Sequence, residues 1–95
     1  MDDRNTQEFE LGRVVGTNGA LIELERAGEH FLKYISRHAT GDWGEVPPED
    51  HEENEFSLRN EFRIISVYTL GSGAKIWIIT EADRSSTTIL LLEEY

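Results

Sequence analysis

The chain of 95 residues contains no cysteine. Disulfides, thiolate zinc sites and a cysteine nucleophile are thereby excluded, and the absence fits the reducing cytoplasm. The longest strongly apolar run, Ile89 to Leu92, is far too short to span a bilayer. Met1 to Glu8 has neither a basic n-region nor an apolar h-region, so no secretory signal is expected. Positive charge is scarce: nine Lys and Arg stand against 19 Asp and Glu, a net charge of −10. Nucleic acid phosphates repel such a chain overall, although a local basic patch can still bind them. A single domain of this length buries roughly 60–65% of the surface of its unfolded chain. That suffices for one core and leaves a shallow cleft or a sheet face as the place for any site.

The acidic residues are unevenly placed. Between Gly41 and Phe62 lie Asp42, Glu45, Glu49, Asp50, Glu52, Glu53, Glu55 and Glu61 against Arg59 alone, a local charge of −7 that leaves −3 for the remainder. Residues 1–8 are polar and expected to be flexible, followed by one domain over 9–95. Phe9 to Val15 alternates loosely, as a short strand would. Thr17 or Asn18 suits a helix N-cap, Ala20, Leu21, Leu24 and Ala27 recur at helical spacing, and Gly28 suits the C′ position. A second helix is expected from about Glu29 to His38. The adjacent Pro47 and Pro48, followed by Glu49 and Asp50, predict a third helix to about Asn60, mostly solvated.

From Phe62 onward the spacing becomes strand-like. Phe62–Leu70, Lys75–Glu81 and Thr87–Leu92 are rich in Ile, Val, Thr, Tyr and Trp. The expected fold is α+β: two or three N-terminal helices followed by a three-stranded antiparallel meander. With a four-residue loop Gly71–Ala74, Leu70 faces Lys75. One face then carries Phe62, Ile64, Ser66, Tyr68, Leu70, Lys75, Trp77, Ile79 and Glu81; the other carries Arg63, Ile65, Val67, Thr69, Ile76, Ile78, Thr80 and Ala82. The second is more aliphatic and is expected to meet the helices, giving a core of Leu21, Leu24, Phe31, Ile35, Ile65, Val67, Ile76, Ile78 and Leu90. A slip of one residue would exchange the relation between the strands.

Several residue groups carry possible chemistry. His38, at a helix end, suits a general acid or base near neutral pH, or a histidine that interacts with the helix's last carbonyls. Lys75 can hold a phosphate while Tyr68 and Trp77 stack on bases; equally, Tyr68 and Trp77 can form a cross-strand pair edged by Lys75 and Glu81. Thr80 to Thr88, with Glu81, Asp83, Arg84, Ser85, Ser86 and Thr87, gathers an acid, a cation and hydroxyls at one turn, or simply satisfies that turn's backbone. Trp43 is expected as the buried anchor of the loop Gly41–Glu45 and is counted with Tyr68, Trp77 and Glu81 as a binding residue. Glu49 to Glu55 has neither the EF-hand pattern nor a His-Glu-x-x-His spacing, so no metal and no cofactor are expected.

Arg37–Gly44, Glu53-Asn54-Glu55, Lys75–Arg84, Thr87–Leu91 and Glu93-Glu94-Tyr95 together resemble a family of small uncharacterised bacterial proteins labelled plasmid-related or hypothetical. The resemblance covers about residues 9–95 and brings no established activity. Leu92 departs from it, standing where those proteins usually carry proline. The helix ending in Arg37-His38, the meander with Lys75 and the late Thr87-Thr88 are also similar to the barnase and RelE-like ribonuclease toxin superfamily. That similarity implies metal-independent RNA cleavage with His38, Lys75, Arg84 and Thr87 as the catalytic set. The net charge opposes it.

Three functions therefore stand side by side. The first is a small acidic interaction or regulatory module of the cytoplasm, associated with plasmids or phages, whose partner is another protein. The second is a metal-independent ribonuclease-like toxin or an inactive relative. The third is an acidic mimic of nucleic acid, drawing on the −7 segment.

Overall fold

Thr17 joins the first strand to the first helix. Its backbone is extended and its hydroxyl accepts from the Ala20 amide at 3.1 Å, so strand β1 (Arg13–Gly16) passes directly into helix α1 (Asn18–Ala27). The computed structural model describes residues 7–95. The expected flexible N-terminus over 1–8 lies, for residues 1–6, outside them. Gln7 donates its side-chain amide to Phe9 O at 2.7 Å, and the Glu8 amide donates to Ala39 O at 2.7 Å.

Gly28 ends α1 in the left-handed conformation. Helix α2 (Phe31–Ala39) is capped by His30, whose Nδ1 accepts from the Leu32 amide at 3.2 Å. Helix α3 (Pro48–Asn60) starts on proline with Glu49 and Asp50 in its first turn, where the helix dipole favours acids. Strands β2 (Ile64–Thr69), β3 (Lys75–Thr80) and β4 (Ser86–Leu91) follow, then a short 3₁₀ turn over Leu92–Glu94. No helix among the described residues is long and apolar enough to cross a membrane.

The chain is α+β, with two corrections to the expected architecture. The sheet has four strands rather than three, in the order β1-β4-β3-β2, because β1 adds parallel to β4 with Arg13 opposite Ser86 and Gly16 opposite Ile89. The helices consequently lie between strands instead of preceding all of them. A pairing across about seventy residues leaves no local trace in sequence, whereas the meander announces itself through its turns.

The register is also corrected by one residue. Thr69, not Leu70, lies opposite Lys75, and Leu70 donates its amide to Ala74 O at 2.7 Å. The loop is thus the three residues Gly71-Ser72-Gly73, closed by Gly73 at φ 96°. Losing one loop residue exchanges the partners of every side chain. Ile64, Ser66 and Tyr68 share the inner face with Ile76, Ile78 and Thr80, and with Thr87 and Ile89 of β4. The core lies between that face and α1 and α2: Ala20, Leu24, Tyr34, Ile35, Tyr68, Leu70, Ile76, Ile78 and Ile89. Of the expected core, Leu24, Ile35, Ile76 and Ile78 are in it and Phe31 packs against it. Ile65, Val67 and Leu90 belong to the outer face, and Leu21 is 43% exposed.

Two polar devices hold the β2 edge. The Asn54 carboxamide stands in for a neighbouring strand, donating from Nδ2 to Ile65 O at 2.7 Å and accepting from Ile65 N at 3.1 Å. Two residues on, Val67 N donates to Trp43 O at 3.1 Å and Glu45 N donates to Val67 O at 2.7 Å. Gly44 permits this approach: its φ is 76°, and a Cβ there would meet Val67 O at 2.0 Å. Asn54→Ala would leave both Ile65 groups unpaired and is expected to cost about 1–3 kcal/mol. Ile78→Ala, at a fully buried position, is expected to cost about 2–5 kcal/mol. Urea denaturation of both, with Leu21→Ala as a control changing stability by less than about 1 kcal/mol, checks the corrected faces.

Candidate functional site

The chemistry-bearing residues separate into a buried polar chain, a set of committed cations and an open cleft. His38 is fully buried in the last turn of α2. Its Nδ1 lies 2.6 Å from Ser66 Oγ and its Nε2 2.9 Å from Thr80 Oγ1. Thr80 Oγ1 lies 2.7 Å from Thr87 Oγ1, and Thr87 donates to Leu11 O at 2.7 Å. These contacts define the protons. Thr87 gives its one hydrogen to the Leu11 carbonyl, so Thr80 must donate to Thr87, and Thr80 must then accept from His38 Nε2–H. Neutral His38 therefore accepts at Nδ1 from the Ser66 hydroxyl. The chain Ser66→His38→Thr80→Thr87→Leu11 is complete, and the described residues contain no buried side-chain polar atom without a partner.

Aromatic rings close this chain off. Phe9 meets the imidazole edge-on at 5.3 Å between centroids, Trp43 meets it at 5.9 Å, and Phe9 and Trp43 are 6.1 Å apart. Burial without a counter-charge pushes the His38 pKa down to about 3. His38 is thus neutral and out of contact with solvent. Thr87 shares the chain with it, and its hydroxyl is used.

The other two members of the expected catalytic set lie elsewhere. Lys75, at the start of β3, donates to Glu45 Oε1 at 2.7 Å and to Thr69 Oγ1 at 2.8 Å. Five residues of strand separate it from Thr80, about 16 Å at ~3.3 Å per residue. Arg84, in the β3–β4 turn, gives its guanidinium to four carbonyls: Ser57 at 2.7 Å, Phe62 at 2.8 Å, Ala82 at 3.1 Å and Glu81 at 3.2 Å. It thereby caps the C-terminal end of α3 while holding φ 61°, a conformation costly for a residue with a side chain. His38, Lys75 and Arg84 do not meet in one cleft.

The four expected binding residues divide in the same way. Tyr68 and Trp77 are on opposite faces of the sheet, which corrects their proposed pairing. Tyr68 is buried against Tyr34, 5.3 Å between rings, and donates to Asp42 O at 2.5 Å. The Arg37 guanidinium, paired with Asp42 at 2.7 Å, lies 4.5 Å over the Tyr68 ring. Trp43 is buried and donates to Glu55 Oε2 at 3.0 Å. Trp77 and Glu81 remain half-exposed, Trp77 on the outer face and Glu81 just past the end of its strand, 3.6 Å from Arg63.

Around Trp77 the structure forms a cleft of about 180 Å³, lined by Asp50, Glu53 and Asn54 of α3, Arg63 and Ile65 of β2 and its approach, Trp77, and Tyr95. The Trp77 and Tyr95 rings are 5.2 Å apart and inclined at 40°. Arg63 is engaged, donating to Tyr95 Oη at 2.9 Å. Aromatic faces on one side and the Asp50 and Glu53 carboxylates on the other suit a side chain with an apolar stem and a cationic head. A larger depression of about 260 Å³ lies over α2, but its lining of Gln7, Leu11, Ile35, Ser36, Ala39 and Thr40 has no ionisable side chain. Among the described residues no group of three or more His, Asp or Glu is arranged to hold a metal ion. Sequence reasoning named Trp77 but missed Tyr95, Asp50 and Glu53. The one signal was the spacing of Asp50 and Glu53, which puts both on one helix face; no sequence pattern brings the end of the chain to Trp77.

No family model matches the chain, nor does any curated protein or solved structure.

The His38 chain makes stability depend on pH in a defined sense. The folded pKa of about 3 lies below the ordinary 6.5, so between these values the unfolded chain binds the extra proton and acidification favours unfolding. The contribution is full above pH 6.5. It falls by about 2 kcal/mol down to pH 4.5, a slope approaching ~1.4 kcal/mol per pH unit. Glu29, Asp42, Glu45, Asp83 and Glu94, each held below the usual range by hydrogen bonds, lose their contributions at lower pH still. Urea titrations from pH 7 to 4.5 should show this loss, and His38→Gln, whose amide can both accept and donate, should abolish the slope in that window.

Proposed function

We propose that the protein is a non-enzymatic interaction module that takes a basic side chain of a partner protein into the cleft between α3 and the outer sheet face. The observation that carries this reading is the Trp77–Tyr95 pair facing Asp50 and Glu53. The −7 segment, which supplies Asp50 and Glu53 to that cleft, gives a field that steers a cationic partner toward it and repels nucleic acid. An acidic surface with one aromatic slot also suits a protein that competes with nucleic acid for a basic groove, so the mimic reading becomes a special case. Association with plasmids or phages rests on the motif resemblance alone.

The geometry gives the ribonuclease reading no support, since its base is sealed and its two cations are committed to Glu45 and to carbonyls. RNA incubated with the protein and a chelator should remain intact; cleavage that disappears in His38→Ala would reinstate that reading. The binding test is a titration with an arginine- and lysine-rich peptide, followed by the NMR signal of the Trp77 indole N–H. The signal is expected to shift, and Trp77→Ala or Glu53→Gln should weaken binding about tenfold, equivalent to ~1.4 kcal/mol. Added salt should weaken it further. A peptide that binds equally well to Trp77→Ala, or fails to bind, would overturn the proposal.

A further inference from the structure

The two edges of the sheet are finished differently. At β2 the outward groups of Ile65 and Val67 are all taken up by Asn54, Trp43 and Glu45. At β1, Arg13 N donates to Ser85 O at 3.0 Å and Thr17 N donates to Ile89 O at 2.9 Å, so alternate residues face β4. Val14, between them, turns its N–H and C=O outward, and neither has a partner among the described residues. An open edge strand is a template for another strand unless it is covered or charged. Here Arg13 is the one charge on the strand, at its start; Val14 and Val15, with Leu21 beside them, are each 38–43% exposed. Beside it, Val14, Gly16, Leu21, Phe31 and Ile89 help line a cavity of about 170 Å³.

We infer that β1 is the interface of a two-fold homodimer, in which it pairs antiparallel with β1 of a second copy. Charge selects this occupant. Residues 7–40, which contain β1, α1 and α2, hold five acids and four bases, a net −1, against −7 for residues 41–62. A basic partner is drawn to α3 and finds no counter-charge at β1. A second copy finds a near-neutral apolar strip like its own, as an isologous contact requires. The repulsion between two chains of −10 does not oppose it. β1 and β2 are the outer strands of the sheet, and α3 packs beside β2. Joining two sheets at β1 therefore places the two β2 strands about 34 Å apart at ~4.8 Å per strand, well beyond the ~8 Å screening length at physiological salt. A two-fold axis through Val14 lets each Val14 N–H donate to the other's C=O, closing both free groups. The contact leaves the Trp77 cleft untouched and does not depend on the function proposed for it.

Sedimentation of the full chain tests the inference. The weight-average mass should rise from one chain toward two between about 1 and 100 µM. Unlike binding of a basic peptide, this rise should not weaken between ~50 and ~500 mM salt. Val14→Pro removes only the outward donor and leaves the bonds to β4; it should weaken dimerisation at least tenfold while thermal unfolding still shows a cooperative fold. Leu21→Lys, at a half-exposed position, should do the same by placing like charges across the axis. A chain that stays monomeric throughout, or a dimer that neither substitution affects, would overturn the inference, as would a monomer whose Val14 amide instead becomes protected by an added extended apolar peptide.

Discussion

His38 stands where α2, β2, β3, β4 and the segment before β1 meet, and a single direction of proton donation links them. Ser66 gives the first hydrogen, Thr80 and Thr87 each receive one and give one, and the last goes to a backbone carbonyl that can only accept. The imidazole is suited to the central place because its neutral form offers one donor and one acceptor on opposite sides of a rigid ring. A core this small cannot tolerate an unpaired polar group, so the series acts as one unit. It also aligns the sheet: Ser66 and Thr80 reach the ring, and Thr87 reaches Thr80, only if β2, β3 and β4 are in the observed register. Polar complementarity thus complements the aliphatic contacts, which alone would accept a slipped strand more readily.

The same economy governs α3. Its buried residues are Asn54 and Ser57 rather than a hydrophobic stripe, and its attachment to the sheet runs through the Asn54 amide, the Arg84 guanidinium and the indole of Trp43 on Glu55. A helix carrying this much acid gains little from apolar burial, so directional bonds fix its position. The result is a molecule with two unlike poles. One is acidic, held by polar groups and marked by an aromatic slot. The other is near neutral, apolar and ends in an unpaired strand.

Much of this organisation was legible in the residues. Thr17, Gly28 and Pro48 marked helix ends through known backbone preferences, and the Ile, Val and Thr runs marked the meander. The parity of the first hairpin was not legible, because Gly71-Ser72-Gly73-Ala74 accommodates a loop of three or of four residues and only packing selects between them. That one residue moved Tyr68 into the core, left Trp77 outside and separated a pair that looked like a platform. The committed states of Lys75 and Arg84 were equally hidden, since Glu45 and Ser57 approach them only through tertiary structure. Composition reads a cation as available; the fold shows where its hydrogen bonds are spent. The acidic segment was evident from the start, but its partnership with Trp77 and Tyr95 required the geometry of three separated parts of the chain.

The parallel pairing of β1 with β4 has a consequence for synthesis. Arg13 meets Ser86, so 73 residues must follow before β1 has a neighbour. At ~5–20 residues per second, translation leaves the first strand without its partner for about 4–15 s. The hairpins of the meander close locally and quickly, whereas joining the first strand to the last carries the loop-closure entropy of almost the whole domain. Until β4 is made, the imidazole of His38 has no completed path to Leu11, and Val14 and Val15 are exposed on a nascent chain. Folding of this sheet is thus a late, nearly all-at-once event, and the strand that finishes it is also the one most open to a wrong neighbour while it waits.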